Sequence, residues 1–190
     1  MSQSRPVATS QDSGNSPESS HALHQLLSVD RTSARVTASS RKRALEHGCE
    51  ILDGSDALNA RSVLDALLAR ERLGSTALGD GIAIPHCRLF ECTVPVGVLL
   101  TLDKGVDYNA PDDNDVDVLF ILVVPDSATD EHLQVLSTLA SILIDEDNRL
   151  ALRAATDSQT LFDTMMSFSK NESGAGAQAS PPTTDGDCAK

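Results

Sequence analysis

The stretch that most constrains this chain is Val116 to Val124, VDVLFILVV, a nearly continuous apolar run with a single aspartate. A strand with one wet face alternates apolar and polar residues, so an almost unbroken run predicts a strand covered on both faces. A second run of valine and leucine, Val96 to Leu102, predicts a companion strand. Helical patterns lie before and after this pair, and strands alternating with helices in one domain point to an α/β layered fold.

The helices can be placed in order. From about Ser40, the residues Ala44, Leu45, Gly48, Ile51 and Leu52 share one face at helical spacing, with Arg41, Lys42, Arg43 and Glu46 outside. The basic triplet Arg41 to Arg43 reads as a solvated helix start. A second helix runs from an Asn59 cap to Leu73, burying Val63, Leu64, Leu67 and Leu68, with Gly74 as its C-terminal stop. Arg70 and Arg72 fall in its last turn, where cations complement the helix dipole. Pro125 closes the long strand. Ser127 and Asp130 then have capping-box spacing ahead of a helix with Leu133, Leu136, Leu139, Ala140 and Leu143 inward. Shorter helices are expected near Asn148 to Ala155 and Ser158 to Phe168. Residues 23–36 predict a short helix or turn followed by a strand. The polar tails, residues 1–22 and 169–190, are expected to be disordered around one domain at 23–168.

Composition removes whole classes of function. The formal net charge is −13, which argues against nucleic acid as a partner, because phosphate backbones select lysine and arginine surfaces. No run approaches the roughly 20 apolar residues that cross a bilayer, and residues 1–20 lack the apolar stretch of a secretory signal. A cytoplasmic protein, not embedded in a membrane, is expected. Cys49, Cys87, Cys92 and Cys188 have no C-x-x-C spacing and read as reduced thiols. The aspartates between 103 and 115 lack the order of an EF-hand and read as a solvated loop.

The chemistry gathers at Gly74 to Arg88, GSTALGDGIAIPHCR. Gly74, Gly79 and Gly81 suit a loop with unusual backbone angles or close ligand approach. Pro85 fixes the chain just before His86, so the ring leaves the strand end in a defined direction. His21, His24 and His47 carry no such signal. His86 and His132 do, since each sits where a strand ends or the next helix starts, and functional groups of α/β sheets concentrate there. A helix start disfavours the protonated form of His132 and favours an incoming anion. Two imidazoles, the Arg70 guanidinium and exposed backbone N–H groups suit phosphoryl transfer to histidine. From spacing alone a hydrogen-bonded structural histidine is the commoner meaning. A metal site from His86, Cys87, Cys92 and His132 has no recognised ligand spacing.

RERLGSTALGDGIAIPHC, from Arg70 to Cys87, closely resembles the phosphorylation-site motif of a known family. It is that of the fructose/mannitol-type IIA domains of the bacterial phosphoenolpyruvate-dependent phosphotransferase system. The nearer likeness is to that family's nitrogen-regulatory members. SRKRALE at Ser40 to Glu46, VDVLFILVVP at Val116 to Pro125 and EHLQVLSTLA at Glu131 to Ala140 are similar in the same order. The resemblance spans residues 23–168.

The resemblance implies a single domain with a mixed central β-sheet and helices packed on both faces. It implies that His86 accepts a phosphoryl group on Nε2 from an HPr-like phosphocarrier. Arg70 would steady that group and His132 would be the second active-site histidine. Gly74, Ser75, Thr76, Gly79 and Gly81 would form the loop facing phosphate or partner. No metal or organic cofactor is implied. Regulatory targets such as kinases or transporters would read the phosphorylation state. The alternatives are a fructose- or mannitol-specific transport component, or a binding-only regulator without phosphotransfer. Where many members have glycine this chain has Cys87, which puts a thiol beside the nucleophile and predicts a site sensitive to mild oxidation.

Overall fold

A computed structural model describes residues 23–53, 58–127 and 131–171, with backbone alone for 131–133 and 169–171. The expected N-terminal tail, the C-terminal tail beyond residue 171 and the Asp130 half of the capping box lie outside the described residues. Residues 169–171, expected to be disordered, continue the last helix. Six strands form one mixed sheet: β1 (Thr32–Val36), β2 (Ala77–Gly79), β3 (Ile82–Ala83), β4 (His86–Leu89), β5 (Val96–Val106) and β6 (Val116–Pro125). The order is β1-β5-β6-β3-β2, with β4 also paired to β6. Strand β6 is antiparallel to β5 and parallel to β3 and β4, while β1 is parallel to β5.

Five longer helices pack around the sheet among the described residues: α1 (Arg41–Asp53), α2 (Ala60–Glu71), α3 (Glu131–Ile144), α4 (Glu146–Ala154) and α5 (Ser158–Asn171). The apolar run becomes β6, and its alternation explains the layering. Leu119, Ile121 and Val123 enter a core shared with Ala44, Leu45, Leu52, Val63 and Leu67 of α1 and α2. Val118, Phe120, Leu122 and Val124 enter a second core with Leu139, Leu143, Leu152, Leu161 and Met165 of α3 to α5. Helices therefore cover both faces, and each β6 side chain is claimed by one layer. Truncating Phe120 or Ile121 to alanine would cost about 2–5 kcal/mol by cavity formation.

Local chemistry sets the boundaries. The Asn59 side chain accepts from the N–H groups of Arg61 and Ser62, so α2 starts at a true cap. Asp145 does the same for α4 through the Asn148 N–H. A Cβ on Gly48 would collide with the end of the Ile121 side chain, so a larger residue there forces that buried side chain to shift. Residues 23–36 form a helical turn, a 3-10 turn at Val29–Arg31 and β1. No described helix is long and apolar enough to cross a membrane.

Two strand expectations change. β5 continues past Leu102 to Val106, where the aspartate, lysine and glycine are no longer under the core. His86 does not terminate a strand. Ile84 and Pro85 interrupt one path along β6 between β3 and β4, and His86 begins the second half. Pro85 lacks an N–H but keeps its carbonyl, which accepts from Leu122 N–H at 2.9 Å and holds the interrupted path against β6.

Candidate functional site

His86 lies opposite Leu122 and Cys87 opposite Val123. Because paired residues in a sheet share a face, His86 belongs to the side of α3 to α5, whereas Cys87 turns into the core beneath α1 and α2. His86 is half-buried. Its Nδ1 is 2.9 Å from the carbonyl oxygen of Ile84. A carbonyl has no hydrogen to give, so Nδ1 carries the ring proton and donates it. That leaves a lone pair on Nε2, which accepts from Nε–H of Arg70 at 3.2 Å. The ring is thus gripped on both nitrogens as a neutral imidazole, with its free lone pair on Nε2.

Arg70 comes from the last turn of α2 and also donates from Nη1 to the Gly74 carbonyl at 3.0 Å. Both hydrogen bonds go to neutral acceptors, and among the described residues no carboxylate pairs with this guanidinium. A cation held by neutral groups keeps its attraction for an anion. Gly74 adopts φ +146°, which lets the chain turn its carbonyl back toward Arg70.

The remaining loop residues separate into two groups. Ser75 Oγ donates to the Tyr108 carbonyl at 2.7 Å and accepts from Ala77 N–H, pinning the loop to the chain after β5. Thr76 is buried. Its carbonyl accepts from Ile84 N–H at 3.1 Å. Gly79 and Gly81, with φ +100° and +80°, bend the β2–β3 turn instead. A Cβ on Gly81 would stand 2.5 Å from Arg153 Nη2 and 2.8 Å from Asp117 Oδ1. The glycines here have a reason inside the fold. In register, Ile82 opposes Val118 and His86 opposes Leu122, so this turn is about 13 Å along β6 from the histidine.

His132 falls in the first turn of α3, at the backbone position expected; its side chain lies outside the described residues. Among the described residues no group of three His, Cys, Asp or Glu side chains could hold a metal ion. The acidic loop has its aspartates exposed, as expected, and is also tied to the β2–β3 turn. Asp112 accepts from the Asp80 N–H at 2.7 Å and from Asn114, and these bonds hold its carboxyl below the usual range.

Cys87 does not behave as a thiol exposed beside a nucleophile. It is 7% exposed, and burial pushes its pKa up to about 12. The thiolate needed for oxidation is therefore scarce at neutral pH, and the expected oxidation sensitivity is not supported.

Glu71 is the residue sequence reasoning missed. Its neighbours Arg70 and Arg72 make RER look like a solvated helix end, yet its carboxylate is buried. Oε1 accepts from both N–H and Oγ1 of Thr76. Oε2 faces Arg41 Nη1 at 3.6 Å. Arg41, from the supposedly solvated triplet, also lies 5.3 Å from the centroid of the buried Tyr108 ring. Lys42 and Arg43 do pair outside with Glu46.

Residues 25–167 match the family model described as phosphoenolpyruvate-dependent sugar phosphotransferase system, EIIA 2. The chain belongs to that family. It is 42% identical over 141 residues to the nitrogen regulatory protein of Pseudomonas aeruginosa, covering 74% of this chain and 92% of the relative. The nitrogen regulatory protein of Escherichia coli K12 is 40% identical over 141 residues, covering 74% of this chain and 86% of that relative. The crystal structure of IIA-Ntr from Neisseria meningitidis superposes with a TM-score of 0.71 at 33% identity, covering 75% of this chain and 98% of that one. The IIA fold, a mixed sheet clad on both faces, and a general phosphotransfer-carrier role follow.

Proposed function

We propose that this IIA domain carries a phosphoryl group on Nε2 of His86, received from the phosphohistidine of an HPr-like protein. The observation that carries the reading is the pairing at the ring: Nδ1–H donating to Ile84, and Nε2 presented to Arg70. In the transfer, the Nε2 lone pair attacks phosphorus. The donor's N–P bond breaks and its electron pair returns to the donor ring nitrogen. Nδ1 keeps its proton on Ile84, so the product is a phosphoimidazolium whose positive charge offsets part of the phosphoryl charge. Arg70 must yield Nε2 as phosphorus arrives, and its N–H groups then have three phosphoryl oxygens to meet. Such preorganised donors are worth about 10²–10³ in rate.

His132 is the second active-site histidine in this reading, supported by its place in the first turn of the 14-residue α3. Gly74, Ser75 and Thr76 form the wall beside the phosphoryl group, while Gly79 and Gly81 shape the hairpin that carries the wall's far end. Leu73 and Phe90, 85% and 89% exposed, flank the segments bearing Arg70 and His86 and give an apolar surface for protein partners. A doubly negative group set beside them would change partner affinity by charge and desolvation. The nitrogen-regulatory names of relatives matched over most of their length favour partner regulation over sugar uptake.

The test incubates the chain with phosphoenolpyruvate, the first-stage enzyme and an HPr-like carrier. Acid-labile phosphate on the wild type, absent from His86→Ala, is the expected result. Equal labelling of both, or of neither, overturns it.

A further inference from the structure

We propose that Glu71 is a positioning residue for phosphoryl acceptance at His86, acting on both ring nitrogens through the loop it anchors. The inference rests on the reading of His86 as the phosphoryl acceptor. Two paths lead from the one carboxylate. Glu71 Oε1 takes the N–H and hydroxyl of Thr76. The Thr76 carbonyl takes the Ile84 N–H at 3.1 Å, and the Ile84 carbonyl takes Nδ1–H of His86 at 2.9 Å. That path fixes the tautomer and the ring plane. The same Glu71–Thr76 clasp closes the five-residue step around Gly74, whose carbonyl receives Arg70 Nη1 while Arg70 Nε meets Nε2. That path fixes the guanidinium.

The cost of this arrangement argues that it serves chemistry more than stability. Glu71 Oε2 is buried without a hydrogen bond. Arg41 faces Oε2 at ion-pair distance, beyond hydrogen-bond length. A buried, incompletely bonded carboxylate is a net expense that an apolar residue of similar volume avoids. Glu71 is also turned into the protein and 8% exposed, so a docking carrier cannot touch it. Its effect should therefore appear in the transfer step and not in carrier binding.

Glu71→Gln keeps the volume and one acceptor but removes the charge facing Arg41. Rates of transfer from phosphorylated HPr-like carrier are measured against carrier concentration, with the Arg70 Nε–H resonance followed by NMR. The expected result is a ten- to hundredfold fall in the saturating rate, the scale of a misplaced reacting group. The half-saturating carrier concentration should stay within twofold and the Nε–H signal should be lost. A saturating rate within twofold of wild type, or a loss lying wholly in half-saturation, overturns the inference. If Glu71→Gln does not fold, Thr76→Val is measured instead, expected to lose at least threefold in saturating rate with Thr76→Ser restoring it; unchanged transfer in Thr76→Val overturns the inference equally. Wild type that fails to label removes the reading of His86 itself; labelled wild type with an equally fast Glu71→Gln removes only the positioning role.

Discussion

Two arginines stand beside the same central strand and have opposite fates. Near the start of β6, Arg153 Nε meets both oxygens of Asp117, at 3.0 and 2.8 Å, and Nη2 reaches Asp117 and the Asp80 carbonyl. The hydrogen bonds that Arg153 donates to Asp117 raise its pKa further, with burial opposing. Farther along β6, Arg70 meets, among the described residues, the His86 ring and the Gly74 carbonyl. An arginine matched by a carboxylate is a tie for the fold. One held by neutral acceptors is oriented but still owed an anion. In the proposed reading, the difference in partners, and not in residue type, is what separates a strut from a phosphate ligand.

The largest expected effect breaks the comparison directly. Arg70→Ala should lower phosphoryl transfer by about 10²–10³ while leaving the thermal midpoint close to wild type. Arg153→Ala should do the reverse: transfer within twofold, and stability down by about 1–2 kcal/mol, since its side chain is 31% exposed and partly screened. Gly81→Ala should weaken the same end by about 1–3 kcal/mol, because it adds a Cβ where φ is +80° and Arg153 and Asp117 already stand. Denaturant unfolding and carrier-transfer assays on the three variants decide the matter. If Arg153→Ala costs transfer as much as Arg70→Ala, the two arginines are not different in kind.

The smallest effect concerns the face of the sheet away from His86. Burial pushes the Cys49 and Cys87 thiols from 9.0 to about 12. Between those pH values the unfolded chain has lost protons that the folded chain keeps, so stability falls as pH rises through this window. The limiting slope is about 1.4 kcal/mol per pH unit for each thiol. Urea midpoints measured from pH 8 to 10.5 should fall more steeply in wild type than in a Cys49→Ala/Cys87→Ala double variant. Equal slopes would mean that the thiols reach water. In the same vein, mild peroxide should leave phosphoryl transfer intact.

The sequence made the framework legible where one physical rule dominated. VDVLFILVV could only be a strand buried twice over, and Asn59 sits where a cap must sit. The Asp145 cap, which starts α4 at Glu146, ahead of the expected Asn148, went unread. β4 was not legible: four residues, three of them polar or thiol, follow a proline and pair on one side only. At the site, His86 and Arg70 stood out through the family motif, since by spacing Arg70 was one more cation on a helix dipole. Glu71 was hidden between two arginines, because nothing in local pattern says that one charged residue of a helix end turns inward. Its carboxylate is held by Thr76 five residues on and faced by Arg41, thirty residues back, and that tertiary packing is not written in the local pattern. Gly79 and Gly81 were visible as glycines, but their reason, the side chains of Asp112, Asp117 and Arg153, was equally remote.

The central claim is that Nε2 of His86, poised by an Nδ1–H bond to Ile84 and faced by Arg70, is where phosphate is carried. It is tested most directly by nitrogen-15 and phosphorus-31 NMR of the chain phosphorylated through its carrier. One phosphohistidine is predicted, with phosphorus coupled to Nε2 of His86 and the proton retained on Nδ1. Phosphorus on Nδ1, on another residue, or on nothing at all would contradict it.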